Sequence, residues 1–148
     1  MDGIIYVLNT QENNTDVVDD IVHEIGHSVE EKYDELIYGD GLIESEFLNK
    51  RKLMQKEFSK EGYFVSDRDA NNPDYNEEFD LFLSDEVGYP KMTTMIQGIY
   101  YSPYAATSLR EYFANGFEAY FYHKDIYLKK VSPILYGKLE ELEEEKYL

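Results

Sequence analysis

Apolar residues recur along this chain at two spacings, and the spacing changes several times. Ile4-Ile5-Tyr6-Val7-Leu8 is a short continuous run of strand formers between Gly3 and a polar stretch, and it predicts one buried strand. From Asp16 to Lys32 the period becomes helical. Val18, Ile21, Val22, Ile25 and Val29 share a face turned to a core, Asn14 or Thr15 can cap the start, and Asp16, Asp19 and Asp20 sit near the positive end of the dipole. Gly39-Asp40-Gly41 ends the segment. Leu42 to Lys60, with Ile43, Phe47, Met54 and Phe58 among many charges, predicts an amphipathic surface helix. A polar loop is expected from Ser66 to Asn76. A short helix follows from Asn76 to Val87, with Phe79, Phe82 and Leu83 inward and Gly88 and Pro90 closing it. Between Met92 and Tyr104, Met95-Ile96 and Ile99-Tyr100-Tyr101 read as strand-like runs, a ribbon at the edge of a cleft. Thr107-Ser108 opens an aromatic helix through Leu109, Tyr112, Phe113, Gly116, Phe117, Tyr120 and Phe121. Ser132-Pro133 starts a last helix that buries Leu135, Leu139 and Leu142. The expectation is one α+β domain over residues 1–148, predominantly helical, with neither repeat nor linker dividing it.

Composition narrows what such a domain can bind. With 14 basic against 31 acidic residues the formal net charge is −17, which would repel nucleic-acid phosphates and attract a basic peptide or protein surface. The chain has no cysteine, so disulfides and thiolate metal sites are excluded. No apolar run approaches the ~20 residues of a membrane span, and no signal-peptide pattern follows Met1. A soluble chain is expected, its compartment open, and secreted if it is a fragment of a longer precursor.

Chemistry concentrates at His23-Glu24-Ile25-Gly26-His27, inside the first predicted helix. Residues four apart stand one above the other on a helix, so His23 and His27 can share one metal ion. Glu24 leaves the helix about 100° away from His23 and can lean over the open side of that ion as a general base. This is the H-E-x-x-H arrangement of zinc peptidases, and Zn²⁺ is the cofactor it calls for. Gly26, a poor helix former, would let another backbone come close beside the metal. A third protein ligand is needed. A later histidine six residues past His27 is excluded, because position 33 is Tyr33. The candidates are His123, at a helix end, and Glu111, an acid among Leu109, Tyr112 and Phe113 that needs a partner. Ser108 to Glu111 is equally a legal capping box, so the residues alone leave Glu111 open between ligand and cap.

The run Glu111-Tyr-Phe-Ala-Asn-Gly-Phe-Glu-Ala-Tyr-Phe121, together with His-Glu-Ile-Gly-His, resembles the peptidase domain of anthrax lethal factor and the related Pro-Pro endopeptidases. That resemblance implies a zincin-like gluzincin: an HExxH helix, a sheet and a C-terminal helical lobe, with zinc held by His23, His27 and Glu111. It implies a role in transition-state stabilisation for Tyr104, seven residues before Glu111, and a closing helix at Lys129 to Tyr136. The position where the family often has an acid is Asn115, an amide able to accept a hydrogen bond from a metal-bound imidazole. Residues 42–76 then read as an insertion. The sheet before His23 reads as shortened, its missing part supplied by a partner chain or a parent protein. The implied function is a zinc-dependent endopeptidase acting on a peptide or protein, with Glu24 as base and Tyr104 at the oxyanion. Glu111-Tyr-Phe-Ala114-Asn115-Gly-Phe117 also resembles the ImmA/IrrE regulators, which cleave repressors, and a non-catalytic subunit retaining a zinc site is a third reading.

Overall fold

The computed structural model describes residues 14–144, of which 76% are helical and none is strand. The strand expected at Ile4 to Leu8 lies outside the described residues, as do the side chains of the cap expected at Asn14 or Thr15. Helix α1 spans Asn14–Lys32, as its periodicity predicts, and a kink at Tyr33 leads into α2, Asp34–Tyr38. Gly41, at φ 73°, turns the chain into α3, Leu42–Lys60.

Two expectations fail between residues 66 and 104. The polar stretch contains a helical turn, α4, Asp67–Ala70, where the Ser66 side chain accepts from the Asp69 N–H. Asn76 likewise caps α5, Glu77–Leu81, which runs into a π-helical segment, Phe82–Gly88, and then into α6, Tyr89–Met95. Gly88 therefore closes the expected helix, and Pro90 belongs to the helix that opens behind it. Gly88 takes φ 85°, and Pro90 sits in the first turn of α6, where its missing N–H costs nothing. The expected ribbon from Met92 to Tyr104 is α6, a turn and a 3₁₀ turn at Pro103–Ala106. Its aromatic and β-branched residues, counted as strand formers, pack instead as core, with Met92, Ile96 and Tyr100 buried. After α7, Leu109–Phe121, come α8, Tyr127–Val131, and α9, Pro133–Glu144.

Helix α3 has one exposed and one buried face, as expected of an amphipathic helix over 42–60, but its buried side reaches beyond the apolar residues to charged ones. Ile43, Phe47, Met54 and Phe58 are fully buried, and so nearly are the charged Glu46, Lys50 and Arg51 on the same helix. Each buried charge is answered. Glu46 accepts from the Tyr112 hydroxyl at 2.6 Å and from the N–H groups of Ile134 and Leu135 at 2.8 and 3.2 Å. It thereby caps α9 from across the fold, the task expected of Ser132. Lys50 donates to the carbonyls of Ile99 and Val131, and burial holds its pKa below the usual lysine value. Arg51 donates to the carbonyls of Asp69, Asn72, Ala106 and Thr107, with its guanidinium 4.9 and 4.5 Å from the rings of Phe47 and Phe79. The segment 42–76 is thus built into the core, and α3 ties together the irregular stretches that surround the cleft.

Helices α1 and α7 lie against each other at Gly26, and α7 lies against α9 at Gly116. A Cβ on Gly26 would stand 3.2 Å from the Phe117 ring, so it is a side chain of α7, and not a backbone, that fills this space. A Cβ on Gly116 would fall 2.4 Å from the Leu135 side chain of α9, which would have to shift to admit it. The apolar face of α1 is only partly covered: Val18 and Ile25 are exposed, against the expectation that the whole face is core. No described helix is long and apolar enough to cross a membrane.

Candidate metal centre

The α1–α7 contact brings the sequence candidates together. His23 and His27 rise from successive turns of α1, their ring centroids 4.9 Å apart and their planes at 85°. From α7, Glu111 directs one carboxylate oxygen to each: Oε2 is 2.9 Å from His23 Nε2, and Oε1 is 3.2 Å from His27 Nε2. The alternative left open for Glu111 is therefore resolved in position. The Ser108 side chain does accept from the Glu111 N–H, at 3.2 Å, but the Glu111 carboxylate is turned to the imidazoles instead of back to the cap.

These three side chains fit a divalent ion. Their ligand atoms all lie within 4.8 Å of one another. Tetrahedral ligands at zinc distances stand roughly 3.4 Å apart, so only small adjustments separate the observed spacings from a zinc cage. The three side chains also interact strongly as charges. The hydrogen bond to Glu111, with the nearby Glu118, raises the His23 pKa to about 10. Contact with Glu111, and Glu30 beyond it, raises His27 to about 9. Burial alone would push the Glu111 carboxyl up, yet the hydrogen bonds and charge of the two imidazoles bring it down to about 2. The arrangement favours imidazolium beside carboxylate, so a metal ion would have to displace a proton from each ring to be held by this trio.

The trio lies in a cleft of about 930 Å³, towards the upper end of the ~300–1,000 Å³ range of ligand sites. Glu24 and Tyr104 line the same cleft. Tyr104 comes from the 3₁₀ turn, is 57% exposed, and meets Tyr89 edge to face at 5.1 Å. Its segment is held from behind: the Tyr104 carbonyl accepts from the Thr107 hydroxyl at 2.8 Å, and Arg51 grips the next carbonyls, Ala106 and Thr107.

Asn115 lines the cleft but does not perform the task expected of it, since its Oδ1 is buried without a hydrogen-bond partner. The carboxylate facing an imidazole is three residues further on, where Glu118 Oε2 stands 3.4 Å from His23 Nδ1. Sequence reasoning missed Glu118. One helical turn after Asn115 it occupies the same side of α7, and that spacing was the available signal. His123 is not a third ligand of the pair. With Asp19 and Glu118 it forms a separate trio, its Nε2 3.5 and 3.4 Å from their oxygens. Glu30, almost fully buried, accepts from Arg110 Nε at 2.8 Å and from the Tyr38 hydroxyl, and lies 3.8 Å from His27 Nδ1, beyond hydrogen-bond reach.

Compared with models of known families, with curated proteins and with solved structures, the chain matches none.

Proposed function

We propose that the protein is a zinc-dependent endopeptidase. The observation that carries this reading is the convergence of one distant carboxylate, Glu111, on both imidazoles of an H-E-x-x-H helix, within a cleft that also holds Glu24 and Tyr104. His23, His27 and Glu111 would hold the ion, three protein ligands being the number expected when one position stays open for chemistry. When bound, zinc supplies Lewis acidity, which acidifies water and polarises a carbonyl. Glu24 takes the proton from the attacking water as its oxygen bonds to the scissile carbonyl carbon. It returns that proton to the departing amine as the C–N bond breaks. The Tyr104 phenol donates a hydrogen bond to the oxygen that becomes negative in the transition state. Glu118 faces the far nitrogen of His23 and holds that ring in the orientation that turns Nε2 to Glu111.

Glu24→Gln separates chemistry from metal binding, because the substitution removes the base and leaves all three ligands. Turnover of a peptide library should vanish while zinc content stays at the wild-type level. Wild-type cleavage should also stop with a chelator and return with added zinc. Chelator-insensitive cleavage, or an active Glu24→Gln variant, would refute the mechanism.

A further inference from the structure

The side of α1 turned away from His23 and His27 carries Val22, Ile25 and Val29. With Phe117 and Phe121 of α7 these line a groove of about 510 Å³, a size that takes a short segment and not a single side chain. Lys32, at the end of α1, is the one charged residue of the described lining. The groove thus differs from the cleft on the histidine side of the same helix, which seven acidic residues line. Among the described residues it is also open, since Ile25 keeps 39% exposure on a face whose period turns it to a core.

One segment of the chain matches this groove in chemistry and in reach. Residues 1–13 lie outside the described ones, and they include Ile4-Ile5-Tyr6-Val7-Leu8, five apolar residues in succession without a charge. Five residues, 9–13, separate that run from Asn14, where α1 begins. They can span up to about 17 Å, and the run about as much again. At 1.5 Å per residue, Val22 and Lys32 stand about 12 and about 27 Å along the helix from Asn14. A chain that doubles back at the start of α1 therefore brings the run level with Ile25 and Val29. We propose that residues 4–8 lie in this groove and close the core behind the histidine pair. Apolar burial drives them there, because five such side chains gain nothing from the acidic cleft on the other side of the helix. The placement needs neither a metal nor a peptidase, so it stands apart from the function proposed above.

Because the chain has no cysteine, introduced pairs of cysteines test this directly. Tyr6→Cys and Val7→Cys, consecutive positions whose side chains leave the backbone in different directions, are each combined with Ile25→Cys in the groove or with Leu53→Cys, exposed on α3. In dilute protein under mild oxidation, at least one of the two should form an intramolecular disulfide with position 25 at least about tenfold faster than with position 53, as a docked segment has the higher effective concentration. Non-reducing gels and mass spectrometry of the linked peptides read the rates. The double variant Tyr6→Asp/Val7→Asp, still helical by circular dichroism, should melt at least about 4 °C below the wild type, since two buried apolar side chains become charged. Linking no faster at position 25 than at position 53, a disulfide formed only between chains (the mark of a second copy in the groove), or an unchanged melting midpoint overturns the placement.

Discussion

At the scale of single residues, the site is set by which atoms face the imidazoles. Each histidine turns Nε2 to Glu111, so the opposite nitrogens must be fixed by something else, and only His23 has a carboxylate within 3.5 Å on that side, from Glu118. Glu118→Gln should weaken zinc binding about 10- to 100-fold, read by competition with a chromophoric chelator. An unchanged affinity would mean that the ring is held by packing alone. Tyr104 makes a cleaner probe of chemistry, because its exposed ring contributes little to the core. Tyr104→Phe should lower kcat by about 10²- to 10³-fold, the effect of losing one oxyanion donor, with zinc content constant. Unaltered kcat would remove Tyr104 from the mechanism.

At the scale of elements, α3 decides where the cleft walls stand. Arg51 joins it to the carbonyls of both flanking stretches, and Met in its place would keep the stem between Phe47 and Phe79 while leaving those carbonyls without a donor. Arg51→Met should cost about 2–4 kcal/mol in denaturant unfolding. An unfolding midpoint equal to the wild type would show that the residue is no strut. The same helix shows where the sequence was legible. Helices α1, α7 and α9 lie where their apolar periods place them, α7 is capped by Ser108 as its sequence suggests, and both histidines of the pair came from one spacing rule. The interior of α3 did not, because Glu46, Lys50 and Arg51 look like solvent-facing charges until the carbonyls, hydroxyl and helix end that satisfy them are known. These partners are 18 to 89 residues away in sequence. Gly88 was legible as a break, but the helix that opens behind it at Tyr89 was not, because residues that end one helix can begin another. The π-helical register of Phe82–Gly88 is invisible to a 3.6-residue template. Glu111 stood between cap and ligand for a similar reason: a local role was readable, and the distant pair of rings was not.

At the scale of the molecule, charge and architecture act together. Among the described residues two basic side chains, Lys50 and Arg51, and two acidic ones, Glu30 and Glu46, lie inside, so the outer surface keeps the acidic excess of the composition. A carboxylate-rich cleft raises the local concentration of cations, a basic segment and a metal ion alike. The arrangement depends on α1 and α7 meeting closely enough, through Gly26 and Phe117, for a carboxylate of one to reach the rings of the other. Zinc content therefore reports on the whole account. Wild-type protein and the Glu111→Ala variant, both shown to be helical by circular dichroism, would be dialysed together against trace zinc and assayed by mass spectrometry of the metal. The account predicts one tightly held zinc per wild-type chain and its loss from the variant. Zinc retained in full by Glu111→Ala, or absent from the wild-type chain, would contradict it.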